Sequence, residues 1–468
     1  MSIDYKNSEY THHVSDWEMV EHICEGREVS DYLIELNPSD ASTENKARNK
    51  QYKERAVMYP VAGYTLRGLI GLMFSKYPTI DLPQKLKYML TNASGGGVSI
   101  YQQAQISAAE VIQKGRAGLF VSYPKTEGEV SVAEMDAGGY VATINMIEAE
   151  QILNWNVEQV GSKSVLNLVV ISEMIDEVQA DGYSVESVKQ IRELALIGGV
   201  FIVREWRQDK DKVWFIRDES TPTDSNGSPW NEIPFVFIGS TSNTPEVNEI
   251  PMYGLAQINV AHYRNSADYE DSVWYAGQAQ PWMSGVSQTH VDMMKKNNMY
   301  VGSRSLLGVP TGEQFGYASA PPNPMVRQAM IDKLDMMIGL GARFIQDNGK
   351  EKTATESTSD SKVQHSSLAL ISSNVSEAYM VALNWAAKFM GESKVGIFQT
   401  SMDFVSPTAT AQEVQAMVAG FIQGAIPLSD YFRWMKKVDL VDSEKTIEQF
   451  SEDIGSVDMP NLDEEAKP

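Results

Sequence analysis

The residues to test first for chemistry are the six histidines, His12, His13, His22, His262, His290 and His365. None forms the pair four residues apart, with an intervening glutamate, that sets two metal ligands and a base on one helix face. His22 and Cys24 are too small a cluster for a metal ion and read as ordinary helix-face neighbours. A phosphate-cradling loop needs a glycine-rich turn that follows a strand and ends in Gly-Lys-Ser/Thr. The nearest string, Gly341-Ala-Arg-Phe-Ile-Gln-Asp-Asn-Gly-Lys350, continues into Glu351 and follows a helical pattern. Gly95-Gly96-Gly97 lacks the dinucleotide-binding spacing and reads as a joint, and no Gly-x-Ser-x-Gly nucleophile elbow occurs. Acid clusters at Glu173, Asp176 and Glu177 and at Asp268, Glu270 and Asp271 are expected among 62 acidic residues. Nothing pairs two of them with an orienting group as a general acid and base. Trp206 with Arg207, and Tyr431 and Trp434 with Arg433, are the loose candidates for a base-stacking platform, and packing is their commoner use. The sequence therefore predicts no catalytic residue, no cofactor and no resident metal. A two-metal nuclease built from distant carboxylates stays open, because sequence cannot pair them.

The elements that would position such groups come from a chain of 468 residues, 43% hydrophobic and 22% charged. That is the composition of an ordered protein with room for several domain-sized units. No run approaches the roughly 18 apolar residues of a membrane span. The first 30 residues, with Asp4, Glu9, Asp16 and Glu18, lack the basic start and apolar core of a secretory signal. Cys24 is the single cysteine, so no intrachain disulfide forms, which fits a reducing environment. The formal charge of −23 argues against a protein that grips nucleic acid over its whole surface, which would need many cationic contacts to phosphate. It is compatible with one that lets DNA slide past, since acidic walls repel phosphate. Lys46, Arg48, Lys50, Lys53, Arg55, Arg67, Lys76, Lys85 and Lys87 crowd residues 41–90, and ten acids crowd 439–468. Both can be plain solvated segments, or they can mark complementary contacts between copies or with a partner.

Periodicity predicts an α+β chain. Helices are expected at 14–25, capped by Ser15 or Asp16, at 44–75 with a break near Pro60, and at 100–114, before a strand at 117–123. From 139 to 238 the pattern turns to strands mixed with short helices. Strands are expected at 165–171 and 199–206, with 213–217 as a hairpin partner and 231–239 closing the domain. Long helices follow at 252–272, with Met252, Leu255, Ile258, His262 and Tyr269 near helical spacing, at 325–346, with Val326, Met330, Leu334, Met337, Gly341 and Phe344 on one side, and from 362 to about 390, with Leu368, Ile371, Val375, Ala378, Ala382, Ala386 and Phe389 as a stripe. A Gly/Pro-rich segment, 276–323, separates the first two, and the polar stretch 346–361 separates the last two. A strand at 395–404 and helices at 410–423 and 428–437 precede the acidic end.

Several blocks in this order resemble the portal proteins of tailed double-stranded DNA bacteriophages. They are Tyr52-Lys-Glu-Arg-Ala-Val-Met-Tyr59, Leu69-Ile-Gly-Leu-Met-Phe-Ser-Lys76, Ile233-Pro-Phe-Val236, Leu255-Ala-Gln-Ile-Asn-Val-Ala-His-Tyr-Arg-Asn-Ser-Ala-Asp-Tyr269, Gly339-Leu-Gly-Ala-Arg343 and Thr353-Ala-Thr-Glu356. The resemblance covers roughly residues 14–438 and rests on order rather than on any catalytic signature. It implies a non-enzymatic ring of usually twelve subunits at one capsid vertex of the virion, assembled in the host bacterial cytoplasm, with no membrane association. The ring would pass double-stranded DNA without regard to sequence. Its partners would be the large terminase subunit, head-completion or adaptor and tail proteins, and the capsid protein. Carried over by position, 1–250 and 362–406 would form the wing, 251–272 and 324–346 the stem, 273–323 the clip, 407–440 the crown, and 441–468 a disordered tail. Tyr263, Arg264, Asp268 and Arg343 are the stem candidates. Within 347–361, Asn348, Lys350, Glu351 and Lys352 would belong to a tunnel loop. That stretch has no large apolar side chain to bury and must face water, and the resemblance selects the channel rather than the outside. The alternatives are another head–tail connector or capsid protein, and a metal-dependent DNA-processing enzyme.

Overall fold

The computed structural model describes residues 2–124, 139–179, 181–277, 280–296, 312, 314–318, 324–343, 367–402, 417, 426–437, 441 and 446–448. Internal contacts divide the chain into two units, Met1–Met402 and Asp403–Pro468. Helix and strand alternate as expected for α+β, with several differences of boundary.

Helix α1 is Ser8–Glu25, longer than the sequence predicts. Asn7 caps it, accepting a hydrogen bond from the Glu9 N–H, so neither Ser15 nor Asp16 is the cap. The first turn of α1 is mostly polar, with Tyr10 alone buried there, against Trp17 further along the same face. The 44–75 region is two helices, α2 (Thr43–Arg55) and α3 (Val61–Met73), with Pro60 opening the second as a residue lacking N–H can. Gly63 of α3 sits where a Cβ would collide with the Cys24 carbonyl oxygen, so α1 and α3 approach backbone to backbone. Helix α4 (Ile100–Lys114) has a full capping box between Ser99 and Gln102 and ends at Gly115 in the left-handed region.

Two sheets follow. The first has β2 (Arg116–Ser122) between β3 (Thr143–Glu148) and β9 (Phe235–Gly239), both antiparallel to it. Six consecutive residues of β2 are buried, as in a strand covered on both faces. At Gly118 a Cβ would strike the Phe235 ring, so only glycine lets β9 cross there. The second sheet is a five-stranded meander. Its strands are β4 (Ile152–Val160), β5 (Lys163–Val178), β6 (Val185–Ile197), β7 (Val200–Gln208) and β8 (Trp214–Ser220). The three strands expected here are present, and β8 is the hairpin partner of β7. The expected short helices amount to one turn, Ala149–Gln151, among the described residues. Strand β6 is absent from the sequence reading because Val185, Val188, Ile191 and Leu194 recur every third residue. That spacing fits no strand, and cross-strand pairing overrides it.

A short strand β1 (Thr79–Asp81) pairs with β12 (Ile397–Gln399), so the strand expected at 395–404 is only three residues long. It ends because Thr400 turns into α8 (Ser367–Phe389), where its backbone and hydroxyl bond Ser372 and Ser376. Helix α8 carries the predicted stripe, with Leu368, Ile371, Val375, Ala378, Ala382, Ala386 and Phe389 all buried. Tyr379 at its middle reaches Ser107 of α4, 3.0 Å oxygen to oxygen.

In the second unit the helix expected at 428–437 is α9, Leu428–Lys437. Tyr431 and Phe432 are buried there against Met417, Ile426, Met435, Val441 and Ile447. The remainder of the helix expected at 410–423, and the end of the acidic tail, lie outside the described residues.

Candidate functional site

Helix α5 (Tyr253–Gly277) and helix α7 (Pro324–Arg343) run side by side and antiparallel. Between them lie α6 (Gln288–Lys296) and a two-stranded ribbon, β10 (Gln280–Ser284) with β11 (Gln314–Ala318). A helix pair carrying an inserted ribbon at the far end of α5 and the near end of α7 is a rod. Polar side chains tie α5 to the segment 52–62 along most of its length. Asn259 is fully buried; its Oδ1 accepts the Ala62 N–H at 3.0 Å and its Nδ2 donates to the Tyr59 carbonyl at 3.0 Å. Ser266 Oγ accepts the Val57 N–H at 3.1 Å. The Tyr52 hydroxyl donates to Asp268 at 2.7 Å, and Arg55 pairs with Asp271 at 2.9 Å while stacking on Trp274. Burial, then the bond to Asp268, pushes the Tyr52 hydroxyl's pKa up.

Two blocks almost 200 residues apart in sequence, 52–59 and 255–269, thus clamp each other. Tyr263 is buried with Leu33, Tyr52 and Ala267. Arg264 is exposed and its Nε donates to the Tyr32 carbonyl at 2.8 Å. Asp268 takes the Tyr52 bond. The structure brings these three expected stem residues together midway along α5, against the one-turn helix Val29–Tyr32 and α2. Arg343 ends α7, and its side chain lies outside the described residues, as do Asn348, Lys350, Glu351 and Lys352. Sequence reading missed Asn259 and Ser266. Their signal is a polar series, Asn259, Tyr263 and Ser266, at helical spacing inside an otherwise apolar face.

Between the helices, Lys333 of α7 donates to Asn265 of α5 at 2.6 Å. Burial, and then the Lys333 charge, lowers the pKa of His262 beside it. Of the predicted stripe of α7, Val326, Met330, Leu334, Met337 and Gly341 are at least half buried, and Phe344 lies outside the described residues. Met325, Ile331, Met336 and Ile338 lie elsewhere on the helix and are exposed.

Groups suited to chemistry are otherwise engaged. Lys114, 2% exposed, faces Glu150 at 2.7 Å, Glu21 at 2.9 Å and Glu110 at 3.3 Å. Burial raises the Glu110 carboxyl to about 8, against the opposing pull of Lys114. Burial likewise raises Glu150. Trp206 donates to Glu193 at 2.8 Å, and Arg207 is held by Gln190 and Glu177, so this pair is part of the sheet rather than an open platform. Tyr431 and Trp434 stack on each other in their own cluster. Among the described residues no group of three or more His, Cys, Asp or Glu is placed to hold a metal ion, and no helix is long and apolar enough to cross a membrane. A cavity of about 290 Å³ lies at the foot of the rod, lined by Ser240, Glu249, Leu255, Leu340 and Ile371, with Glu249 as its one ionisable residue.

A family described as a domain of unknown function, DUF4055, matches residues 251–390, which span the rod and α8. No curated protein matches the chain. Among solved structures, the neck of an empty GTA particle computed with C6 symmetry is 13% identical over 78% of this chain and 86% of that one, with a TM-score of 0.39. A chain from the virion of a native gene transfer agent (GTA) particle is 11% identical over 80% and 88%, with a TM-score of 0.38. The neck of a native GTA particle computed with C12 symmetry is 11% identical over 79% and 86%, with a TM-score of 0.35. These likenesses are too distant to carry an argument about this chain.

Proposed function

We propose that this chain is a structural subunit of a phage-type head–tail connector, the portal ring at one vertex of the virion. The observation that carries the reading is the rod. Antiparallel α5 and α7 carry an inserted ribbon at one end, α5 is tied to α2, α3 and the segment between them along most of its length, and α7 exposes Ile331, Met336 and Ile338. Each such side chain is worth about 1.5–3 kcal/mol when buried, and neighbouring rods in a ring would cover them. On this reading 1–250 and 362–406 form the wing, α5 and α7 the stem, 273–323 the clip and 407–440 the crown. The loop around Asn348, Lys350, Glu351 and Lys352 faces the channel, where mixed charge would touch passing phosphates weakly. The ring would be a conduit for duplex DNA and a platform for the packaging motor and for adaptor and tail proteins, with energy supplied by the motor.

Mass photometry of purified protein tests this. A closed ring of twelve 52.0 kDa chains would appear near 620 kDa. Only monomer and dimer, across salt and concentration, would sink the proposal.

A further inference from the structure

Copies of a chain that carries −23 repel one another, so a contact between them needs surface that is short of acids. From Ala56 to Ala109 the only acid is Asp81, in a sequence with 62 acidic residues. Within that band the outer face of α3 carries Tyr64, Arg67, Gly68 and Gly71, spaced by three and four residues and all exposed. Tyr64 is 60% exposed, and Tyr77, just past the helix end, is 69% exposed. The Arg67 guanidinium lies over the Tyr64 ring and has no ion pair among the described residues. Glycine weakens a helix relative to alanine, so a glycine in a helix interior calls for a packing reason. Gly63 has one in the Cys24 carbonyl, whereas a Cβ at Gly68 or Gly71 would meet nothing within 4 Å. These two leave a shallow groove beside Tyr64 and Arg67 that no described residue of the same chain fills.

A helix with matching features belongs to the same chain. On α7, Ile331, Asp335 and Ile338 follow at spacings of four and three residues and form one exposed stripe, the isoleucines 42% and 59% exposed. Asp335 has no ion pair among the described residues. Asp332 and Met336 lie beside the stripe, and Arg327, toward the inserted ribbon, is the one exposed cation of that face. We propose that the α7 stripe of one copy lies in the α3 groove of its neighbour, with Asp335 against Arg67 and the isoleucines against Tyr64 and the glycine backbone. The proposal rests on the self-assembly reading above and names one of its contacts. Helix α3 packs on α5 and meets α7 where Thr65 faces Gly341, so its outer face belongs to the flank of the rod. Interface cores favour tyrosine and arginine and are depleted in acids, which is the composition of the α3 face. Stripe and groove are different surfaces, so the contact is heterologous, the kind that closes into a ring rather than stopping at a two-fold dimer.

Charge exchange tests the contact. Arg67→Glu and, separately, Asp335→Arg should each raise the protein concentration needed for assembly at least tenfold, and the two together should restore it. Gly68→Gln with Gly71→Gln should raise the denaturation midpoint of the single chain, because glutamine favours the helix, yet weaken assembly by a similar factor by filling the groove. In a Cys24→Ser background, Gly68→Cys with Ile338→Cys should crosslink assembled copies into multi-chain ladders. Circular dichroism checks that each variant folds, and where one does not, the crosslink decides. Reversals that assemble like wild type, absence of rescue, a glutamine variant that assembles normally, or absence of ladders from assembled protein would overturn the contact and leave the ring standing. Unchanged assembly with loss of duplex DNA binding in Arg67→Glu would assign the α3 face to phosphate and equally overturn it. A wild-type chain that never assembles would remove both readings.

Discussion

At the scale of residues, the Lys114 cluster sets one buried cation against three carboxylates on α1, α4 and the turn after β3. Three full negative charges there would be under-compensated, so burial keeps a proton on Glu110, whose carboxyl stands at about 8. A folded pKa raised above the unfolded value means that the folded state binds the extra proton. The stability this confers is complete below the unfolded carboxylate range, about 4.3, and is lost as pH rises through about 8. Glu110→Gln should therefore flatten the fall in stability between pH 5 and 8, measured by denaturant unfolding at each pH; an unchanged slope would contradict it. Lys114→Met removes the cation and leaves buried acids unpaired, and should cost about 3–5 kcal/mol, read as a drop in denaturation midpoint. None of this was legible in sequence. Glu21, Glu110, Lys114 and Glu150 are ordinary surface-type residues until the fold converges them.

At the scale of elements, legibility tracks whether local pattern and tertiary context agree. Helices α4 and α8 announce themselves, the first through its capping box and terminal glycine and the second through an unbroken stripe. Strand β6 does not, because its apolar spacing is wrong for a strand and only β5 and β7 supply the reason for it. The rod was visible as apolar stripes around a Gly/Pro-rich insertion, but not the clamp along α5, since Asn259 bonds backbone groups almost 200 residues away. Asn259→Leu strands the Ala62 N–H and Tyr59 carbonyl in a buried place and should cost about 2–3 kcal/mol, measured by chemical denaturation. Met336→Glu with Ile338→Glu tests the other side of the rod. Both positions are exposed in the single chain, so its stability should hardly change. Assembly should weaken by an order of magnitude or more in required concentration, because each carboxylate would be buried against a neighbouring copy. Equal assembly of this variant and the wild type would place the interface elsewhere.

At the scale of the whole molecule, charge constrains how such a ring could treat DNA. The chain carries −23, and twelve copies in the proposed ring would multiply that. Tight non-specific binding depends on releasing counterions from phosphates by many Lys and Arg contacts, and its affinity falls steeply with salt. Several basic side chains here are already committed: Lys114 to its three acids, Arg55 to Asp271, Arg204 to Glu193 and Glu219, and Lys388 to Glu232. The summed field around the proposed ring would repel phosphate, which would favour passage over retention. We therefore expect the assembled protein to bind a short duplex more weakly than the roughly 10⁻⁴–10⁻⁶ M of non-specific DNA-binding proteins at physiological salt. Fluorescence anisotropy of a labelled duplex, titrated with assembled protein at several salt concentrations, measures this directly. Submicromolar binding with a steep loss on adding salt would mean that the chain concentrates its cations along the DNA path. The conduit would then be a gripping surface rather than a low-friction one.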